Sequence, residues 1–262
     1  AYSGAGSLTA GTTIAISGGT GIAPTANIQA GGNIVMSASG LSSFGATTVN
    51  STGGGISLTS GPYGGHAIQL NNSTFSTTSG AINLTGTSSA GDGAWIYGGT
   101  NISTTTGAIN ITGVGTDWGL FFETANVVST SGAIKIDGGV RGIVDGYNTS
   151  NTTNFGAIPT GSSSSNITVL GDRNWDGSSQ VNFKTTGSVT LDSKAADYIA
   201  APSYINHKFD GCSSVSIGHL SAAYQVTVQA TATIRGPFSL QGQYVVVNAS
   251  SSIKTTMAKS AG

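Results

Sequence analysis

The stretch Thr78–Gly86 reads TSGAINLTG, and nearly the same nine residues return as TTGAINITG at 105–113 and TSGAIKIDG at 130–138. Within each, apolar residues stand two apart: Ile82 and Leu84, Ile109 and Ile111, Ile134 and Ile136. That alternation belongs to a strand, whose successive side chains point to opposite faces. The residues between them, Asn83, Asn110 and Lys135, are then expected to face solvent.

Working outward, the first apolar residue of the pattern recurs as Ile14, Ile34, Ile56, Ile82, Ile109, Ile134, Ile167, Val189 and Val215. The gaps drift between 20 and 33 residues. A drifting period in this range marks a solenoid in which each repeat is one coil. Beyond Val215 the pattern tightens to YQVTVQA around Val226 and QYVVVNA around Val246. A second apolar position lies seven residues before the first, at Val49, Phe75, Ile102 and Val127. A third short strand fits between coils, with Ile68 and Leu70, Trp95 and Tyr97, and Leu120 and Phe122 as inward pairs. No segment shows helical periodicity, and Gly with β-branched residues opposes helix throughout.

These observations predict an all-β chain: a right-handed parallel β-helix, or β-solenoid, with three short strands per coil and about ten coils. Coils stacked about 4.8 Å apart place like residues on like residues, which explains the reuse of one nonamer. Stacking also disfavours charge, because like charges on adjacent strands repel. Only 7% of residues are charged, and no Asp, Glu, Lys or Arg precedes Asp92. Gly80, Gly107 and Gly132 precede the repeated strand, where the backbone is expected to corner through dihedrals that glycine tolerates. The whole chain, 1–262, reads as a single β-helix segment of a longer fibre. Its largest gap, from Ile134 to Ile167, predicts a protruding loop at 139–165.

Composition excludes some functions. Net charge is −1 with no Lys/Arg cluster, so no nucleic-acid partner is expected. No apolar run is long enough to span a membrane as a helix. Cys212 is the only cysteine and reads as a small packed residue. Asn-x-Ser/Thr triplets recur, as at Asn83 and Asn110, but the repeat itself generates them.

Two groups of residues carry candidate chemistry. In GDRNWDG, residues 171–177, Asp172, Asn174 and Asp176 have the spacing with which a calcium loop begins, so calcium is the one cofactor considered. The bidentate acid such a loop needs at its twelfth position is replaced by Phe183. Arg173 could pair with a neighbouring acid. The aromatics Trp95, Tyr97, Trp118, Phe121, Phe122 and Tyr147 gather within two to three coils. Most are expected in the core. Exposed members, with Trp118, Tyr147 and Trp95 as candidates, would offer a platform for sugar rings.

The run TSGAINLTG…TNISTTTGAINITG resembles the repeat region of large bacterial two-partner-secreted adhesins of the filamentous-haemagglutinin type, from about residue 31 onward. The resemblance implies a right-handed β-helix, secretion through an outer-membrane partner to the extracellular space or cell surface, and adhesion to a host-cell or bacterial-surface glycan or protein. It brings no catalytic signature, and no catalytic residue is assigned. A purely structural spacer stalk is a second reading. A polysaccharide-degrading β-helix enzyme is a third, with Asp137, Asp145, Asp172, Asp176, Asp192, Arg141 and Arg173 as candidates. Gly218-His219 resembles part of the G-H-G of pectin-degrading hydrolases, but Leu220 stands in place of the last glycine. Nothing in the sequence sets two carboxyls at the separation glycoside hydrolysis requires.

Overall fold

The computed structural model describes residues 7–146, 148–158, 160–173, 178–195, 198–218 and 224–256. Every regular element among them is a strand. The strands form two parallel sheets, of 16 and 10 strands, in a solenoid of about nine turns. Each strand pairs with its counterpart one coil away, so nearly all contacts are between coils.

The ten-stranded sheet carries the nonamer. Its register runs Ile14, Ile34, Ile56, Ile82, Ile109, Ile134, Ile167, Val189, Val215 and Phe238 in one column. The anchors expected from the repeat therefore stack directly. Ile82 and Ile109 are fully buried and Ile134 nearly so. The column continues at Phe238 rather than in the valine-rich runs around 226 and 246. Those runs lie in the larger sheet, where Val226 pairs with Val245 and Thr227 with Val246.

The larger sheet holds a second inward column: Val49, Phe75, Ile102, Val127, Phe155, Phe183 and Phe209. The third strand position is where the expectation slips. Ile68 pairs with Ala94 and Leu70 with Ile96, which continue to Leu120 and Phe122. Ala94 and Ile96 are the buried pair, so Trp95 and Tyr97 face outward. A slip of one residue exchanges the two faces of a strand. Here the larger aromatic rings suggested the wrong one.

Outward polar residues also stack. Asn110 Nδ2 donates to Asn83 Oδ1 at 2.9 Å. In the larger sheet Asn154 donates to Asn126 at 2.8 Å and Asn182 to Asn154 at 2.9 Å. Such side-chain amide bonds run along the stack, as in other stacked sheets. Because Ile109 is enclosed above and below, Ile109→Ala is expected to cost about 2–4 kcal/mol. Asn110→Ala, which loses one half-exposed hydrogen bond, should cost about 1 kcal/mol. Urea unfolding of the two variants checks this difference.

The glycines of the nonamer differ from the expectation in mechanism. Gly80, Gly107 and Gly132 do not have positive φ. A Cβ on Gly107 would instead strike the carbonyl oxygen of Gly80, and one on Gly132 that of Gly107. Close approach of successive turns requires glycine there. Left-handed residues turn a different corner, in the larger sheet: Ala46, Asn72, Thr124 and Asn206 have φ of 49°, 49°, 58° and 60°.

The stretch 139–165 is only partly a loop. Ile143–Val144 pairs with strand Leu120–Ser129, and Thr152–Gly156 continues the phenylalanine column. The added length sits on either side of Thr152–Gly156. After that strand, Gly161 N closes a turn on Ile158 O at 2.9 Å. Ser163 and Ser165 then rejoin the wall, each donating to Ser129 O at 2.7 and 2.9 Å.

Candidate functional site

The middle coils carry a column that the register assembles from distant residues. Ala67 N donates to Asp92 O at 3.0 Å, and Gly93 N to Trp118 O at 3.1 Å. His66, Asp92 and Trp118 each stand two residues before a paired inward residue, at Ile68, Ala94 and Leu120. They are therefore successive rungs at one place on the coil. The sequence contains the signal, since the three residues are 26 apart in turn. Reading them required the strand register that the aromatic rings had obscured.

His66 Nδ1 lies 3.0 Å from Asp92 Oδ2, with side-chain exposures of 33% and 5% respectively. Asp92 Oδ1 accepts the Trp118 backbone N–H at 3.1 Å. Burial pushes the Asp92 carboxyl above its usual range, opposed by His66 and the Trp118 N–H. The two groups stand within ion-pair distance, although Nδ1 does not meet hydrogen-bond geometry there.

Beside this column the outward side chains are aromatic. Trp95 stacks on Tyr97 at 4.2 Å between centroids and 19° between planes, and on Phe121 at 5.7 Å and 11°. His66 lies 5.2 Å from Trp95, tilted by 53°. The Trp95 Nε1 is buried without a hydrogen-bond partner. The Arg173 guanidinium lies 4.3 Å from the Trp118 ring centroid, an arrangement favoured by the ring quadrupole. Glu123, the next outward residue after Phe121, accepts from Asn151 Nδ2 at 2.9 Å. All of these rings are half-buried rather than fully exposed.

Of the predicted sugar-stacking residues, Trp95 belongs to the outward stack, while Trp118 is half-buried under the Arg173 guanidinium. Tyr147 lies outside the described residues. In the calcium motif, Asp172 is buried and its Oδ1 accepts the Ala195 N–H at 2.7 Å. Asn174 and Asp176 lie outside the described residues. Among the described residues no group of three or more His, Cys, Asp or Glu side chains is arranged to hold a metal.

Of the hydrolase candidates, Asp137 and Asp192 stand in register on either side of Leu170. Asp137 is paired with Lys194 and accepts from Gly139 N, and Asp145 is buried. Asp176, His219 and Leu220 lie outside the described residues. Cys212 is buried, and burial raises its thiol to about 11, so it is a packed residue.

His207 is buried further along the solenoid, where its Nδ1 meets Ile205 O at 2.8 Å. Burial lowers its pKa to about 4, from an ordinary 6.5. The folded state therefore holds the imidazole neutral, and the unfolded chain takes up a proton first. The His207 contribution is present above pH 6.5 and is lost as pH falls towards 4. Replacing His207 by Gln should flatten stability between those pH values, as read by thermal melts at fixed ionic strength.

No family model matches this chain, and no curated protein or solved structure matches it either. Among the described residues no helix is long and apolar enough to cross a membrane.

Proposed function

We propose that this chain is an extracellular adhesin or fibre segment that attaches to a glycan through its middle coils. One observation carries the reading: Trp95, Tyr97 and Phe121 form an outward stack of aromatic rings, with Trp118 at the neighbouring rung position, on a solenoid in which only 7% of residues are charged. Outward apolar rings in a β-solenoid have no core to fill, and half-buried aromatic surface suits the face of a pyranose ring. The stacked strands hold the rings in place, so little side-chain entropy is lost on binding. The reading includes secretion to the cell surface through an outer-membrane partner and a calcium ion near Asp172.

The test is a glycan array probed with the intact chain, followed by titration of any glycan that binds. Tyr97→Ala and Trp118→Ala should each weaken binding about tenfold, corresponding to about 1.4 kcal/mol, while circular dichroism stays unchanged. Binding that survives both changes would rule out this surface.

The His66–Asp92 pair is the specific observation that favours the polysaccharide-degrading alternative. A buried carboxylate beside an imidazole is a common arrangement for a general base. Release of shortened products from a bound polysaccharide, abolished by His66→Ala, would decide for that reading.

A further inference from the structure

Beyond the middle coils, a concavity lies on the larger sheet nearer the C-terminal end. It has a volume of about 630 Å³. Three successive strands supply its wall: Gln180–Lys184, Ser203–Asp210 and Gln225–Ile234. Their outward side chains Gln180, Asn206, Lys208, Gln229 and Thr231 line it, and Thr149 stands at its edge. The concavity has a local cause. The pairing register shifts between Ile205 and His207, and Asn206 between them has a φ of 60°. An extra residue of this kind bends its strand.

The polar groups of the lining are held in place yet have capacity left. Asn206 Nδ2 donates to Ser178 O at 3.0 Å, which leaves Oδ1 as an acceptor. Gln229 Oε1 accepts from Asn248 at 3.3 Å, which leaves Nε2 as a donor. The side chains of Gln180 and Lys208 make no hydrogen bond or ion pair among the described residues. Lys208 is the only charged side chain in the lining; Asp210, two residues on along the same strand, shares an adjoining smaller recess with it and stands in register with Lys184. It follows Asn182 in the asparagine column, and Asn182 Oδ1 is buried without a partner. Asn182 cannot turn its amide over without losing its bond to Asn154, so this column ends in an acceptor next to the lysine. That acceptor favours an ammonium close to the groove wall.

We propose that this groove binds an acidic oligosaccharide, with Lys208 meeting a sugar carboxylate and Gln180, Asn206, Gln229 and Thr231 meeting hydroxyls. Amides and hydroxyls at fixed spacing match the alternating donors and acceptors of a sugar chain. The single unpaired ammonium selects for negative charge. Strands about 4.8 Å apart repeat these groups along the groove, as an extended chain requires. This site shares no residue with the aromatic surface and does not depend on it.

The proposal is tested by calorimetric titration of the intact chain with a galacturonic acid hexamer, a neutral galactose hexamer and hexa-aspartate. The uronate should bind. Lys208→Ala should weaken it at least tenfold, Lys208→Arg should retain most of the affinity, and Gln229→Ala should weaken it several-fold. Tyr97→Ala should leave it unchanged. No uronate binding, equal binding of the neutral hexamer or of hexa-aspartate, or affinity unaffected by Lys208→Ala would overturn the proposal. Loss of uronate binding in Tyr97→Ala would also overturn it, by moving the ligand to the middle coils.

Discussion

Phe183→Ala should be among the most destabilising single truncations in this solenoid, at about 3–5 kcal/mol. Phe183 is fully buried at the centre of a run of stacked rings. It stacks on Phe155 at 5.4 Å and 16°, and on Phe209 at 5.2 Å and 9°. The rungs are strand-paired in register, so the backbone cannot shift to fill the space the ring leaves. The lost transfer energy and the residual cavity therefore add. In a repeat fold each coil contacts chiefly its neighbours, so the loss should first loosen the adjacent coils. Cys212 reports on that region, because its Sγ lies 3.9 Å from Phe183 O and is buried. Thiol labelling of Cys212 in native buffer should accelerate in Phe183→Ala, alongside a lower urea midpoint. Labelling at the wild-type rate with an unchanged midpoint would show that the coils repack around the loss.

Gly107→Ala should cost about 3 kcal/mol or more, the upper end of what inserting one carbon into a packed site does. The added Cβ would meet Gly80 O, and also the Ser79 carbonyl oxygen. Both belong to the backbone of the preceding coil, so no flexible side chain can yield. Relief requires separating two turns whose neighbouring strands are hydrogen-bonded in register. Gly45→Ala is the control, because a Cβ there meets nothing within 4 Å. It should fall within about 0.5 kcal/mol of the parent. Equal melting temperatures for the two variants would refute close approach as the reason for the repeated glycine.

The Gly107 contrast shows how far the repeat can be read. The three nonamers state where glycine recurs, but not why. A cornering dihedral and a close backbone contact leave the same letter in the sequence. Only the positions of the carbonyls in the neighbouring coil separate them. The same holds for His66 and Asp92. Both are visible in the sequence, yet an imidazole and a carboxylate 26 residues apart acquire a relation only when the coils stack. Of the aromatic surface, Trp118 and Trp95 were legible as candidates from their clustering. The face Trp95 presents was not, because its strand is short and both of its alternating sets contain large apolar residues.

The sequence by itself determined the parallel solenoid, the inward anchor from Ile14 to Val215 and the start of the second inward column, from Val49 to Val127, whose continuation through Phe155, Phe183 and Phe209 came from the strand register. Those features follow from local alternation and a repeated length, which strand geometry converts directly into stacking. Tertiary structure alone decided which face Trp95 and Tyr97 occupy, how much of 139–165 joins the wall, and which polar residues line the groove around Lys208. These depend on pairing register and on bends at single residues such as Asn206. A shift of one position there moves side chains between core and surface while leaving the pattern of residue types almost unchanged.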